Sequence, residues 1–208
     1  TMKIFSVMKT IMTKSKFFYK NFVLFLLVLA LNPTACTSSN EFSGSEDLSV
    51  RLVENNDSFL EIDFSVNNWS IAEIEEDGEI YSDLIVDMGV RLKKKGYAAL
   101  PVLHASIQLP DTGELNYEII DEEYIDVPLT HHFFPSKGII SRDQNPSDVK
   151  RYIDPASLKL RSYPVEKVKL SDPYILRDVR GVNIYVHPFV YDSANKVLRI
   201  YTKLRVSL

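Results

Sequence analysis

Apolar and polar residues alternate with a period of two through most of this chain. Leu60, Ile62, Phe64 and Val66 fall on one side of an extended backbone, with Glu61, Asp63 and Ser65 on the other, the signature of a half-buried β-strand. The same pattern returns near the far end. There Leu198, Ile200, Thr202, Leu204 and Val206 alternate with Arg199, Tyr201, Lys203 and Arg205. Asp77-Gly78 lies between Trp69–Glu75 and Glu79–Val86 and predicts a tight hairpin. Val102–Leu109, bounded by Pro101 and Pro110, is a further strand, and Leu115–Val127 is an acidic, solvent-facing strand or pair. Val182–Tyr191 and Val197–Val206 flank the polar turn Asp192–Lys196 and predict a closing hairpin, with Pro188 marking a bulge or edge in its first strand. No stretch sustains a helical period. The expectation is an all-β fold: a single antiparallel β-sandwich or jelly-roll-like domain over residues 48–208.

One segment breaks the pattern. Between Pro135 and Pro164 the chain is interrupted by Pro146 and Pro155, has no clean period, and carries Lys137, Arg142, Lys150, Arg151, Lys159 and Arg161. An irregular stretch of this length inside a compact domain is a functional loop or disordered.

The N-terminus differs from the rest. Lys14, Lys16 and Lys20 precede the apolar run Phe22–Leu31. Ten helical residues rise only about 15 Å, against a hydrocarbon core of about 30 Å. Residues 1–35 therefore predict a secretory signal segment and not a membrane span; Met12 is a plausible start, which would make residues 1–11 an extension of the gene model. The single cysteine, Cys36, follows Pro33-Thr34-Ala35 and is a candidate lipid-accepting residue, with plain cleavage near Ala35 as the alternative. Pro33 stands where a lipid-attachment signal usually has leucine. Residues 36–47 are Ser-, Asn- and Glu-rich and predict a tether. The expected location is outside the cytoplasm: periplasm, outer membrane or extracellular space, with outer-membrane attachment through Cys36 if it is lipidated.

Charge sharpens the picture. Residues 41–126 hold 21 Asp and Glu against five Lys and Arg, whereas residues 127–208 hold 14 Lys and Arg against seven acids. The two halves are expected to attract each other within one fold, or the basic half to face an acidic partner. A net charge of −4 argues against nucleic acid as a partner. Candidate chemistry is sparse. Cys36 lies outside the predicted domain, so a Cys–His pair within it is not expected. His131-His132 are adjacent, and adjacent strand residues face opposite ways, so no metal site is assigned there. His104 and His187 are expected at the core rim. The acidic clusters Glu75-Glu76-Asp77 and Asp121-Glu122-Glu123 are expected as solvated turns, with calcium as the lesser alternative. No catalytic residue, cofactor or metal is predicted.

An ordered series of short motifs resembles the N-terminal propeptide of gingipain-type cysteine peptidases. It runs from Phe59–Phe64 through Asp77-Gly78-Glu79-Ile80-Tyr81, Gly96-Tyr97-Ala98-Ala99-Leu100-Pro101 and Leu109-Pro110 to Phe134-Pro135-Ser136-Lys137-Gly138. It ends with Asp172–Gly181, Pro188-Phe189-Val190-Tyr191 and Leu198–Thr202. The likeness covers residues 50–208 and is strongest in its last third. Ala98 departs from it, since the family tends to have proline there. The chain stops at Leu208, where the family's catalytic domain would begin.

The resemblance implies a β-rich, non-catalytic domain that binds a gingipain-type cysteine peptidase, keeps it latent during export and assists its folding. Such peptidases favour Arg or Lys at the cleaved bond, so a basic residue on the proline-bounded loop would enter their acidic pocket. Arg142 is the first choice, followed by Lys137 and Arg151. Two other readings stay open: the N-terminal part of a full peptidase precursor, and an exported surface β-sandwich that binds something else.

Overall fold

A computed structural model describes residues 41–42, 47–55, 59–87 and 90–208. All of them lie in one unit, Asn40–Leu208. The signal segment 1–35, Cys36 and most of the tether lie outside the described residues.

The alternating runs become strands. Glu41–Phe42 (β1), Leu48–Asn55 (β2), Leu60–Val66 (β3), Glu118–Pro128 (β7), Phe189–Asp192 (β11) and Val197–Ser207 (β12) form a six-stranded sheet. β12 is its centre. β7 runs along one edge of β12, while β11 and β3 share the other, and all these pairings are antiparallel. Leu103–Gln108 (β6), Val168–Leu170 (β8), Tyr174–Leu176 (β9) and Val179–Val186 (β10) form a second antiparallel sheet centred on β10. Ser70–Glu76 (β4) and Glu79–Ile85 (β5) form a two-stranded hairpin. Among the described residues there is no α-helix, only a 3-10 turn at Ser157–Lys159.

The two sheets share a core in which Ile62, Phe64, Leu204 and Val206 meet Val168, Ile184 and Val186. A second cluster continues toward the hairpin and joins Leu198, Ile200 and Phe189 to Leu84, Leu100, Leu129 and Phe133. Leu198, Ile200, Leu204 and Val206 of β12 are fully buried. Each such side chain contributes roughly 1.5–3 kcal/mol by leaving water. The expected all-β class therefore holds.

Local expectations fared unevenly. The Asp77-Gly78 hairpin is present, with both turn residues at positive φ (58° and 83°), as a primed turn requires. The closing hairpin is shorter than the pattern implies. Only β11 pairs with β12, and Val182–Val186 belongs to the other sheet. Residues 182 to 191 read as one strand because each sheet buries alternate residues of its own half, Val182, Ile184 and Val186 in one and Phe189 and Tyr191 in the other, so Pro188 marks a step between sheets and not a bulge. Its carbonyl accepts the Tyr201 N–H at 2.8 Å. In β12 the alternation lapses at a bulge between Tyr201 and Lys203. Tyr201 is buried there, and Thr202, expected on the core face, directs its hydroxyl to the Glu123 carbonyl at 3.3 Å. The sheet also begins inside the segment expected as tether, since Glu41 and Phe42 pair with Arg51 and Val50.

The charge asymmetry has its counterpart in the fold. Ion pairs join acids before residue 127 to bases after it, including Asp63–Arg205, Asp121–Lys203, Glu122–Lys167 and Asp126–Arg199, whereas Arg91–Asp83 lies within the acidic half.

Candidate functional site

The irregular segment is tied down at its root and free at its tip. Its entry and exit both pair with the strand-like stretch 96–99. Ser136 N–H donates to the Tyr97 carbonyl at 2.8 Å, Gly96 N–H to the Ser136 carbonyl at 2.9 Å, and Asp154 N–H to the Gly96 carbonyl at 2.9 Å. Gly96 sits at φ +77°, and a Cβ there would come within 2.8 Å of the Asp154 Cβ. This position therefore requires glycine.

A charged clamp lies beside this seam. The Glu76 carboxylate, at the end of β4, holds the Lys137 ammonium on one oxygen and the Arg151 Nε on the other, each at 2.8 Å. Lys137 Nζ also reaches the Pro146 carbonyl at 3.3 Å, across the loop. Arg151 donates its backbone N–H to Asp77 Oδ2 at 3.2 Å and its Nη1 to the Pro135 carbonyl. Its guanidinium covers the Phe134 ring at 3.8 Å. The two cations, Lys137 foremost, hold the Glu76 carboxyl below the usual carboxylate range against the opposing effect of burial. Glu76 and Asp77 are thus structural partners of the loop and not the solvated turn expected. Only the charge asymmetry hinted at this, because the partner cations lie 61 and 75 residues downstream.

The tip consists of two consecutive turns. Gln144 N–H donates to the Ser141 carbonyl at 3.1 Å, and Ser141 N–H to Gln144 Oε1 at 3.3 Å, closing the turn 141–144. Asp148 N–H to Asn145 carbonyl at 3.0 Å closes the next. Arg142 occupies the second position of the first turn. Its side chain is exposed and has no ion pair or side-chain hydrogen bond among the described residues. The structure thus separates the three basic candidates: Lys137 and Arg151 form the clamp, and Arg142 stands free above it.

The histidines serve the packing. His132 Nδ1 lies 3.2 Å from the Tyr191 hydroxyl, His131 Nε2 lies 3.5 Å from Glu73, and buried His187 donates from Nδ1 to the Glu166 carbonyl at 2.8 Å. His104, expected at the core rim, is instead exposed, because it falls on the outward side of the alternating strand β6, where it stacks on Tyr185. A recess of about 10 Å³ beneath the loop root, lined in part by Gly96, His132, Tyr163 and Tyr191, has room for about one water. Burial there pushes the Tyr163 hydroxyl up to about 12. Among the described residues, no three His, Cys, Asp or Glu side chains converge as a metal site.

Comparison with known proteins places this architecture. The chain is 31% identical over 162 residues to gingipain R2 of Porphyromonas gingivalis, covering 76% of this chain and 22% of that protein. It is 31% identical over 160 residues to gingipain R1 of the same organism, covering 76% of this chain and 16% of that protein. It thus spans less than a quarter of the curated relatives it matches. Among solved structures it superposes on the complex of Porphyromonas gingivalis RgpB pro- and mature domains. The TM-score is 0.71 and the identity 29%, over 79% of this chain and 84% of that one. It shares a fold with a structure solved for the zymogenic latency of gingipain K of the same organism, at TM-score 0.68 and 14% identity, over 82% of this chain and 97% of that one. The family model described as Propeptide_C25 matches residues 39–208. With strands, loop root and turn order all inside that span, this chain belongs to the Propeptide_C25 family.

Proposed function

We propose that this domain is a non-catalytic propeptide that binds a gingipain-type cysteine peptidase of Arg or Lys specificity and holds it latent, with Arg142 presented to the specificity pocket. The observation that carries this reading is the contrast within one loop. Two cations are locked into the base by Glu76, and the third is exposed and unpartnered at the tip. A locked base means that little conformational freedom is lost when the tip docks. The turn 141–144 gives a reason for binding without cleavage. Its two closing hydrogen bonds keep the backbone after Arg142 out of the extended form in which a scissile bond is attacked. The same locked loop would give the mature domain a surface to fold against.

The test is inhibition of an Arg-specific gingipain-type peptidase by the purified chain, competitive with an Arg-containing substrate. Arg142→Ala should weaken inhibition at least about thirtyfold, because stripping one partner from a buried, hydrogen-bonded charge pair costs roughly 2–5 kcal/mol. Arg161→Ala, also exposed, is the charge-matched control. Equal weakening by both changes would mean diffuse attraction that fades with salt. No inhibition by the unmutated chain would favour an exported β-sandwich that binds something else.

Export belongs to the same proposal. The apolar run Phe22–Leu31 acts as a signal and is removed, and Cys36, if it becomes the first residue, carries the lipid that tethers the domain to the outer membrane. Intact mass of native protein reads both. A mass that includes residues 22–31 sinks the signal, and an N-terminus beyond Cys36 sinks the lipid alone.

A further inference from the structure

We infer that Ile139 is a second anchor of the loop, seated in an apolar recess of the peptidase close to the pocket that takes Arg142. This rests on the reading of residues 135–164 as the peptidase-binding loop. Ile139 is 84% exposed, more than any other large apolar side chain among the described residues. Its outward position is built in. Gly138 has φ +84°, and a Cβ there would sit 3.0 Å from the Lys95 Cβ, so the chain is pressed against Lys95 and turns away from it. Gly138 N–H is held by Ser136 Oγ at 3.1 Å, and Lys137 by Glu76 at 2.8 Å. The residues just before Ile139 are therefore fixed, and its neighbour Ile140 is half-buried. An aliphatic group fixed in water by its own scaffold gains free energy only when another surface covers it.

Charge alone gives a poor discriminator. Any acidic pocket of that size can take Arg142, and the buried pair formed there gives affinity without telling one such peptidase from another. An apolar neighbour changes that, since interface centres combine a desolvated apolar contact with a few polar ones. Three residues span at most about 11 Å. The two side chains therefore leave the loop from Cα atoms within about 11 Å of each other, and the recess must lie within side-chain reach of that span, on the side that receives the residues preceding the basic one. A peptidase with the pocket but a polar surface there would be a poor partner.

The test sets Ile139→Ala, Ile139→Asp and Ile139→Val beside Arg142→Ala in the full chain, reading the inhibition constant against an Arg-specific gingipain-type peptidase and the thermal midpoint of the free chain. Burial of about three carbon groups predicts roughly ten- to fiftyfold weaker inhibition for Ile139→Ala. Ile139→Asp should lose more, Ile139→Val should stay within about threefold, and all three midpoints should match the unmutated chain. If Arg142→Ala weakens inhibition while Ile139→Ala and Ile139→Asp do not, the second anchor is overturned and the latency reading stands. If Arg142→Ala has no effect but the Ile139 changes do, the apolar contact stands and the pocket assignment falls. If the Ile139 changes abolish only self-association of the free chain, the occupant is a second copy and the inference is overturned. A chain that does not inhibit at all overturns both.

Discussion

His187 sits where the chain steps from one sheet to the other, buried, with Nδ1 donating to the Glu166 carbonyl. Burial is the main cause that holds its pKa below the ordinary histidine value, with Glu166 opposing and Lys169 assisting. Burial, helped by Lys196, does the same to His132. Both groups take up protons more readily in the unfolded chain than in the folded one. Stability is therefore fully present above the ordinary histidine pKa of about 6.5 and is lost as pH falls below it, toward the depressed folded values. The thermal midpoint should drop between about pH 7 and pH 5, before the carboxylates titrate. His187→Asn, which keeps a donor near the Nδ1 position but cannot titrate, should flatten that slope while costing little at pH 8. A midpoint equally pH-dependent in the variant would remove His187 from this role. The sequence placed His187 at the core rim but gave no sign that its ring fastens the crossing, because Glu166 lies in an irregular stretch with no pattern to read.

Among elements, the loop between Pro135 and Pro164 depends most on a partner distant in sequence. Glu76→Gln leaves Lys137 and Arg151 with only carbonyl acceptors, Pro146 and Pro135 respectively, and a neutral amide between them. Both side chains and the carboxylate are largely but not fully covered, so the cost to global stability should be modest, on the order of 1–2 kcal/mol. The larger effect should be local. Amide hydrogen exchange over residues 137–151 should speed up at least about tenfold, and inhibition should weaken as the loop loses its fixed base. Unchanged exchange there would show that the 96–99 seam holds the loop by itself. The loop was legible in the sequence as a loss of period, and β3, β6 and the β4–β5 hairpin were legible from alternation, flanking prolines and Asp-Gly. β8 and β9, three residues each, are too short to carry a period. The split of Val182–Tyr191 between two sheets was hidden because both halves are buried and look alike. That Lys137, Arg142 and Arg151 share one loop was legible, but that Lys137 and Arg151 are paired and Arg142 is exposed was not, since which cations are neutralised is decided by tertiary contact with β4.

At the scale of the whole molecule, the ion pairs that cross between the acidic and basic halves are mostly surface pairs, each worth about 0–1 kcal/mol. Their value lies more in which strands they allow to meet than in stability, which comes from the apolar faces of β3, β10 and β12. β12 pairs with β3, β7 and β11 together, so three strands spread over residues 60–192 wait on residues 197–207 for a common neighbour. During synthesis the middle of the larger sheet is the last of its strands to emerge. Until then β3 and β7 are margins without a centre, and the loop-closure entropy of joining them is not repaid. A nascent chain in that condition is slow to fold and stays threadable, a delay that would serve the export proposed above by keeping the polypeptide unfolded on its way through a channel.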